Sequence, residues 1–111
     1  MRHEIVLVEA AQEFISGLRA KLKAKTLRTI ELLAEFGPYL SMPHSRKLSG
    51  YEIWEIRVSQ GSDICRLFYF YHTQMGYIIT SGYVKKTDRT SKREIEKANR
   101  LRIQFLAEED T

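Results

Sequence analysis

A chain of 111 residues, 43% hydrophobic and 29% charged, is one ordinary domain spanning residues 1–111. It is too short for a second domain and too rich in apolar and aromatic residues for intrinsic disorder. Its 18 Lys and Arg against 14 Asp and Glu leave a formal charge of +4, no apolar run approaches the roughly 18 residues of a membrane span, and one cysteine, Cys65, cannot form an internal disulfide.

Ile5-Val6-Leu7-Val8 reads as a short β-branched strand. Four apolar residues are too few for a signal-peptide core, so a cytoplasmic protein is expected. From Glu9 the period changes. Ala11, Phe14, Ile15, Leu18 and Leu22 fall at helical spacing, as do Leu27, Ile30, Leu33 and Ala34. Gly17 and the basic stretch Lys21 to Lys25 suggest a bend or helical hairpin between the two. Gly37-Pro38 is a stop signal, since glycine accepts the cap conformation and proline cannot continue the helix. Residues 38–50 read as a loop.

Three strands follow. Residues 51–58 alternate, with Trp54, Ile56 and Val58 on one face and Glu55 and Arg57 on the other. Residues 59–63 form a hairpin turn around Gly61. Residues 64–71 are dense in aromatic side chains and interrupted by one charge, Arg66; a turn at 72–76 leads to a strand over 77–84. Ser91 and Glu94 have capping-box spacing, and Ile95, Ala98, Leu101 and Phe105 give a last helix its apolar stripe. The expected order is β-α-α-β-β-β-α, an α+β domain with a small antiparallel sheet packed against helices.

The charge is clustered. Residues 19–28 carry Arg19, Lys21, Lys23, Lys25 and Arg28 with no acid. Residues 85–102 carry eight basic groups against Asp88, Glu94 and Glu96, a local +5. Such clusters are the footprint of a polyanion binder, or else the polar faces of two amphipathic helices. No Cys pair, His-Glu-x-x-His run or phosphate-cradling glycine loop is present, so neither a metal nor another cofactor is expected. Cys65, in mid-strand, reads as a buried structural thiol.

The informative residues are charges placed where strands should be apolar. Arg57 and Arg66 lie across a short hairpin, Glu55 shares the Arg57 face, and Lys85 and Lys86 end the third strand of the meander. One reading is a solvated sheet edge with a weak Glu55–Arg57 salt bridge. The other is several cations converging on a phosphate. That arrangement suits RNA cleavage by 2′-hydroxyl attack without a metal, because Arg or Lys would stabilise the charge added at phosphorus.

Four segments carry a resemblance: Leu48 to Arg57, Cys65 to Phe70, Gly82 to Thr87, and Lys92 to Ala98. In this order and spacing the chain resembles the RelE/ParE toxin superfamily, most of all its phage-derived, HigB-like branch. The resemblance covers nearly the whole chain. It implies a RelE-like fold and the toxin of a type II toxin–antitoxin pair, an endoribonuclease that cuts mRNA on the ribosome and so inhibits translation. Matched motif by motif, the implied catalytic residues are Glu55, Arg57, Arg66, Lys85 and Lys86, although Cys65 stands where the family strand has tyrosine. Lys21, Lys23, Lys25, Arg28, Arg46, Lys47, Arg89, Lys92 and Arg93 are the expected RNA and ribosome contacts. The implied partner is a helix-turn-helix, HigA-like antitoxin, through which alone operator DNA would be reached. A ParE-like gyrase inhibitor that cleaves nothing, or an inactive nucleic-acid-binding regulator, are the alternatives.

Overall fold

The structure, a computed structural model, describes residues 2–40, 44–86 and 89–109. Strand β1 (Ile5–Leu7) is followed by helices α1 (Glu9–Ser16) and α2 (Ala20–Phe36) and a 3-10 turn over Gly37–Tyr39. Strands β2 (Ser45–Lys47), β3 (Trp54–Gln60), β4 (Asp63–His72) and β5 (Gly76–Lys85) then lead to α3 (Lys92–Glu109). The five strands form one sheet in the order β1-β5-β4-β3-β2. The β2–β5 pairings are antiparallel, but β1 runs parallel to β5. Parallel neighbours need a crossover, here the helices and strands between them, so the sheet is mixed rather than wholly antiparallel.

Helices cover both faces. Ala11 and Ile15 of α1 and Leu22, Ile30 and Leu33 of α2 pack on Ile56, Val58, Cys65, Leu67, Tyr69, Tyr77 and Ile79. On the opposite face Ala98 and Ile95 of α3 meet Ile53, Phe68 and Tyr83. A strand covered on both sides reads as a nearly continuous apolar run, which explains the density of residues 64–71. Gly82 is demanded by the first face: a Cβ there would lie 2.6 Å from the Phe14 ring and 2.7 Å from Leu67 Cδ2, so α1 could not approach β5.

The helical break expected near Gly17 falls between Ser16 and Ala20, and the Lys21–Lys25 stretch lies inside α2. The stop at Gly37 holds, with φ of +53°. The capping box forms by half. Glu94 N–H donates to Ser91 Oγ at 3.4 Å, while the Ser91 N–H goes to Tyr83 Oη at 2.6 Å, which ties the start of α3 to β5. The loop expected over 38–50 contains β2. Its Ser-Arg-Lys sequence lacks alternation and is held by pairing with β3 and by the Ser45–Tyr69 hydroxyl contact.

Candidate active site

Strand register gathers the predicted cations on the α3 face. Arg57 sits directly opposite Arg66, which sits opposite Tyr83; one row along, Ile64 faces Lys85. Side chains opposed in a ladder project to the same side, so Arg57, Arg66, Tyr83 and Lys85 share one face. Lys86 has the opposite parity. Both lysines are exposed, Arg57 is half-buried, and Arg66 is 0% exposed.

Arg66 therefore cannot be a solvated edge cation. Its Nε lies 3.5 Å from Oε1 of Glu55, which is itself 1% exposed. Its guanidinium carbon is 5.6 Å from the centre of the Tyr83 ring, within cation–π range. Glu55 has two further partners. Arg46 Nε donates to Oε2 at 3.1 Å from across the β2–β3 ladder, and the Thr90 hydroxyl donates to Oε1 at 2.5 Å. Thr90 Oγ1 in turn accepts from Arg46 Nη2 at 3.0 Å. A carboxylate taken out of water is tolerated when paired and hydrogen-bonded on both oxygens, and Glu55 meets that condition. The weak surface bridge to Arg57 envisaged from i, i+2 spacing gives way to a buried network linking β2, β3, β4 and the approach to α3.

Two recesses flank this network. A cleft of about 570 Å3 is lined by Arg46, Lys47, Leu48, Ser49, Arg89, Thr90 and Ile95, so the neighbouring cations Arg46 and Lys47 meet the distant Arg89 at one opening. A smaller recess of about 230 Å3 lies at the β3 edge beyond the end of β2. There Lys25 and Thr29 of α2 meet His44, Arg57, Val58 and Ser59. Lys25 Nζ donates to the Ser59 carbonyl at 2.5 Å, and Arg57 N–H donates to the His44 carbonyl at 2.9 Å. Lys21, Lys23 and Arg28 remain on α2, which packs on the opposite face of the sheet. Lys92 and Arg93 are exposed in the first turn of α3, where cations oppose the helix dipole.

Sequence reasoning missed Thr90 as a member of the network and His44 as a neighbour of Arg57. Neither has a local signal, since both are brought in by pairing between distant segments. Cys65 is buried as expected, and burial pushes its thiol up to about 11, far from a reactive thiolate. Among the described residues no group of His, Cys, Asp and Glu is arranged to hold a metal ion, and no helix is long and apolar enough to cross a membrane.

The family model for phage-derived, Gp49-like proteins matches residues 13–102. The chain belongs to the Gp49-like family. Within solved structures, this Gp49-like protein is similar to a double arginine-to-alanine variant of the Escherichia coli toxin RelE in its free state. The identity is 18% and the TM-score 0.66, over 93% of this chain and 99% of that one. At that identity the likeness establishes the fold, which is RelE-like. No curated protein matches the sequence. The resemblance drawn from four motifs is thus borne out in family and fold.

Proposed function

We propose that this Gp49-like protein is the toxin of a type II toxin–antitoxin pair and a metal-independent endoribonuclease that cuts mRNA on translating ribosomes. The observation that carries the reading is the row of Arg57 and Arg66 with Lys85 beside it, all on one sheet face. Basic side chains brought to one sheet face from three strands, some of them at the surface, are the arrangement a phosphate binder needs.

Division of labour follows from burial. Arg57 and Lys85 are the groups a scissile phosphate would reach on this face, and they would stabilise charge as the 2′-oxygen attacks phosphorus and the 5′-oxygen departs, with Lys86, of the opposite parity, outside that row. Arg66 and Glu55 would set the position of that surface from beneath. His44, which lines the recess beside Arg57, would be the group that moves a proton. The cleft of Arg46, Lys47 and Arg89 suits flanking phosphates. Lys92 and Arg93, unfavourable against the α3 dipole, gain from an anion at that end. Lys21, Lys25 and Arg28, at i, i+4 and i+7 on one stripe of α2, form a basic ridge that leads to the recess beside Arg57 and suits ribosomal RNA, with Lys23 on the other side of the helix. The HigA-like antitoxin would neutralise these cations with an acidic segment.

The test is to induce the protein in cells, map transcript 5′ ends, and assay purified gyrase in parallel. Cut transcripts with unaffected supercoiling are expected. Intact transcripts with inhibited supercoiling would overturn the nuclease and favour the ParE-like reading.

A further inference from the structure

Arg46 lines the cleft beside the ionic network, sits opposite Glu55 in the β2–β3 ladder, and has a side chain 45% exposed. An exposed arginine ordinarily loses rotamer freedom when it binds a ligand, which weakens the contact. This one is already held. Its Nε donates to Glu55 Oε2 at 3.1 Å, and its Nη2 donates to Thr90 Oγ1 at 3.0 Å. A single bond would let the planar guanidinium swing about it, whereas two anchors on different segments fix the plane. The two bonds use two of the five N–H donors of a guanidinium, so the group keeps donors for an anion in the cleft.

Thr90 closes the ring. A carboxylate only accepts and a guanidinium only donates. The Thr90 hydroxyl therefore gives its proton to Glu55 Oε1, at 2.5 Å, and receives one from Arg46. Both capacities of that hydroxyl serve Arg46 and its anchor. Capping of α3 falls instead to the neighbouring Ser91, whose Oγ accepts from the Glu94 N–H. Lys47, by contrast, meets Glu52 at 3.7 Å with both side chains open to solvent, and its Nζ lies 5.7 Å from the centre of the Trp54 ring. A surface pair of that kind fixes little.

We propose that Thr90 is a positioning residue which, with Glu55, fixes Arg46 as a preorganised receptor for an RNA phosphodiester in this cleft. The inference rests on the reading of this face as an RNA site and adds the residue that tunes its affinity.

Thr90→Val removes the hydroxyl with little change of shape, and Thr90→Ser keeps it. Binding of a fluorescently labelled oligouridylate of about ten nucleotides is followed by anisotropy at low salt. Thr90→Val should weaken binding about three- to tenfold, the freedom returned to one long side chain, and Thr90→Ser should bind like the wild type. In an Arg46→Ala background the same Thr90→Val change should alter affinity by less than about twofold, because Thr90 acts through Arg46. A cost in folding would appear in both backgrounds, so thermal midpoints of these proteins separate stability from positioning. Equal affinity of Thr90→Val and wild type, an equal loss in both backgrounds, or no binding by the wild type would overturn the inference. Oligouridylate binding that follows the expected pattern while mRNA on ribosomes stays intact would support this inference and overturn the nuclease reading.

Discussion

The two faces of the sheet solve different problems. Under α1 and α2, every buried β3 and β4 side chain is apolar or aromatic, and Cys65 there is dry enough to hold its proton far into the alkaline range. Under α3, the apolar patch is smaller, and beside it Glu55 and Arg66 lie at 1% and 0% exposure in a network closed by Arg46 and Thr90. A buried ion pair is a poor route to stability, since well-packed apolar residues of similar volume often do as well or better. Stability is therefore the task of the first face. The second carries charge at a cost, in a place where Arg57 and Lys85 reach the surface.

Removing the centre of the network should test that contrast most severely. Arg66→Ala would take one charge partner from the buried Glu55 carboxylate, leave the space of a long side chain empty, and is expected to cost about 3–5 kcal/mol. From sequence alone this variant is expected to fold like the wild type and lose only activity; complete burial of Arg66 makes it a folding variant as well. Arg66→Met combined with Glu55→Gln should recover much of the loss, and urea unfolding of both variants measures it. Equal stability of Arg66→Ala and wild type would mean that Glu55 does not depend on Arg66.

On the other face Leu67→Ala should cost about 2–5 kcal/mol by the same measurement, through lost burial and the cavity left behind. Its effect should be on the folded fraction, with activity per folded molecule unchanged. A loss of activity in the fully folded variant would mean that the two faces are not separable.

A smaller effect concerns the dryness of that core. Burial raises Cys65 from an ordinary 9.0 to about 11, so between those values the unfolded chain releases a proton that the folded one keeps. Stability should accordingly fall as pH rises from about 9 to about 11, by roughly 2–3 kcal/mol beyond the fall seen in Cys65→Ala. Parallel pH profiles for the two proteins would show the cysteine core to be wet.

Periodicity made the helices and the meander legible, because helices that bury one stripe and strands bounded by turns advertise their geometry locally. Four motifs in order then pointed to the RelE-like fold. β2 was not legible: Ser45, Arg46 and Lys47 have no strand pattern and become a strand only by pairing with β3. The network was hidden for the same reason, since Arg46 and Thr90 reach Glu55 from 9 and 35 residues away. One signal did exist. Arg66 stands inside an apolar run long enough for a strand covered on both faces, and a charge in such a strand must be buried and paired.

The central claim is that the surface cations above this network act on RNA. Purified protein added to ribosomes programmed with a defined mRNA tests it most directly, with wild type compared against Arg57→Ala combined with Lys85→Ala. A cation aimed at the developing phosphorane is worth about 3 kcal/mol of barrier, more than a hundredfold in rate. The wild type should therefore cut the message to a 2′,3′-cyclic or 3′-phosphate end, and the double variant, with an unchanged melting temperature, should cut at least a hundredfold more slowly. Equal cleavage by the folded double variant, or an intact message with the wild type, would contradict it.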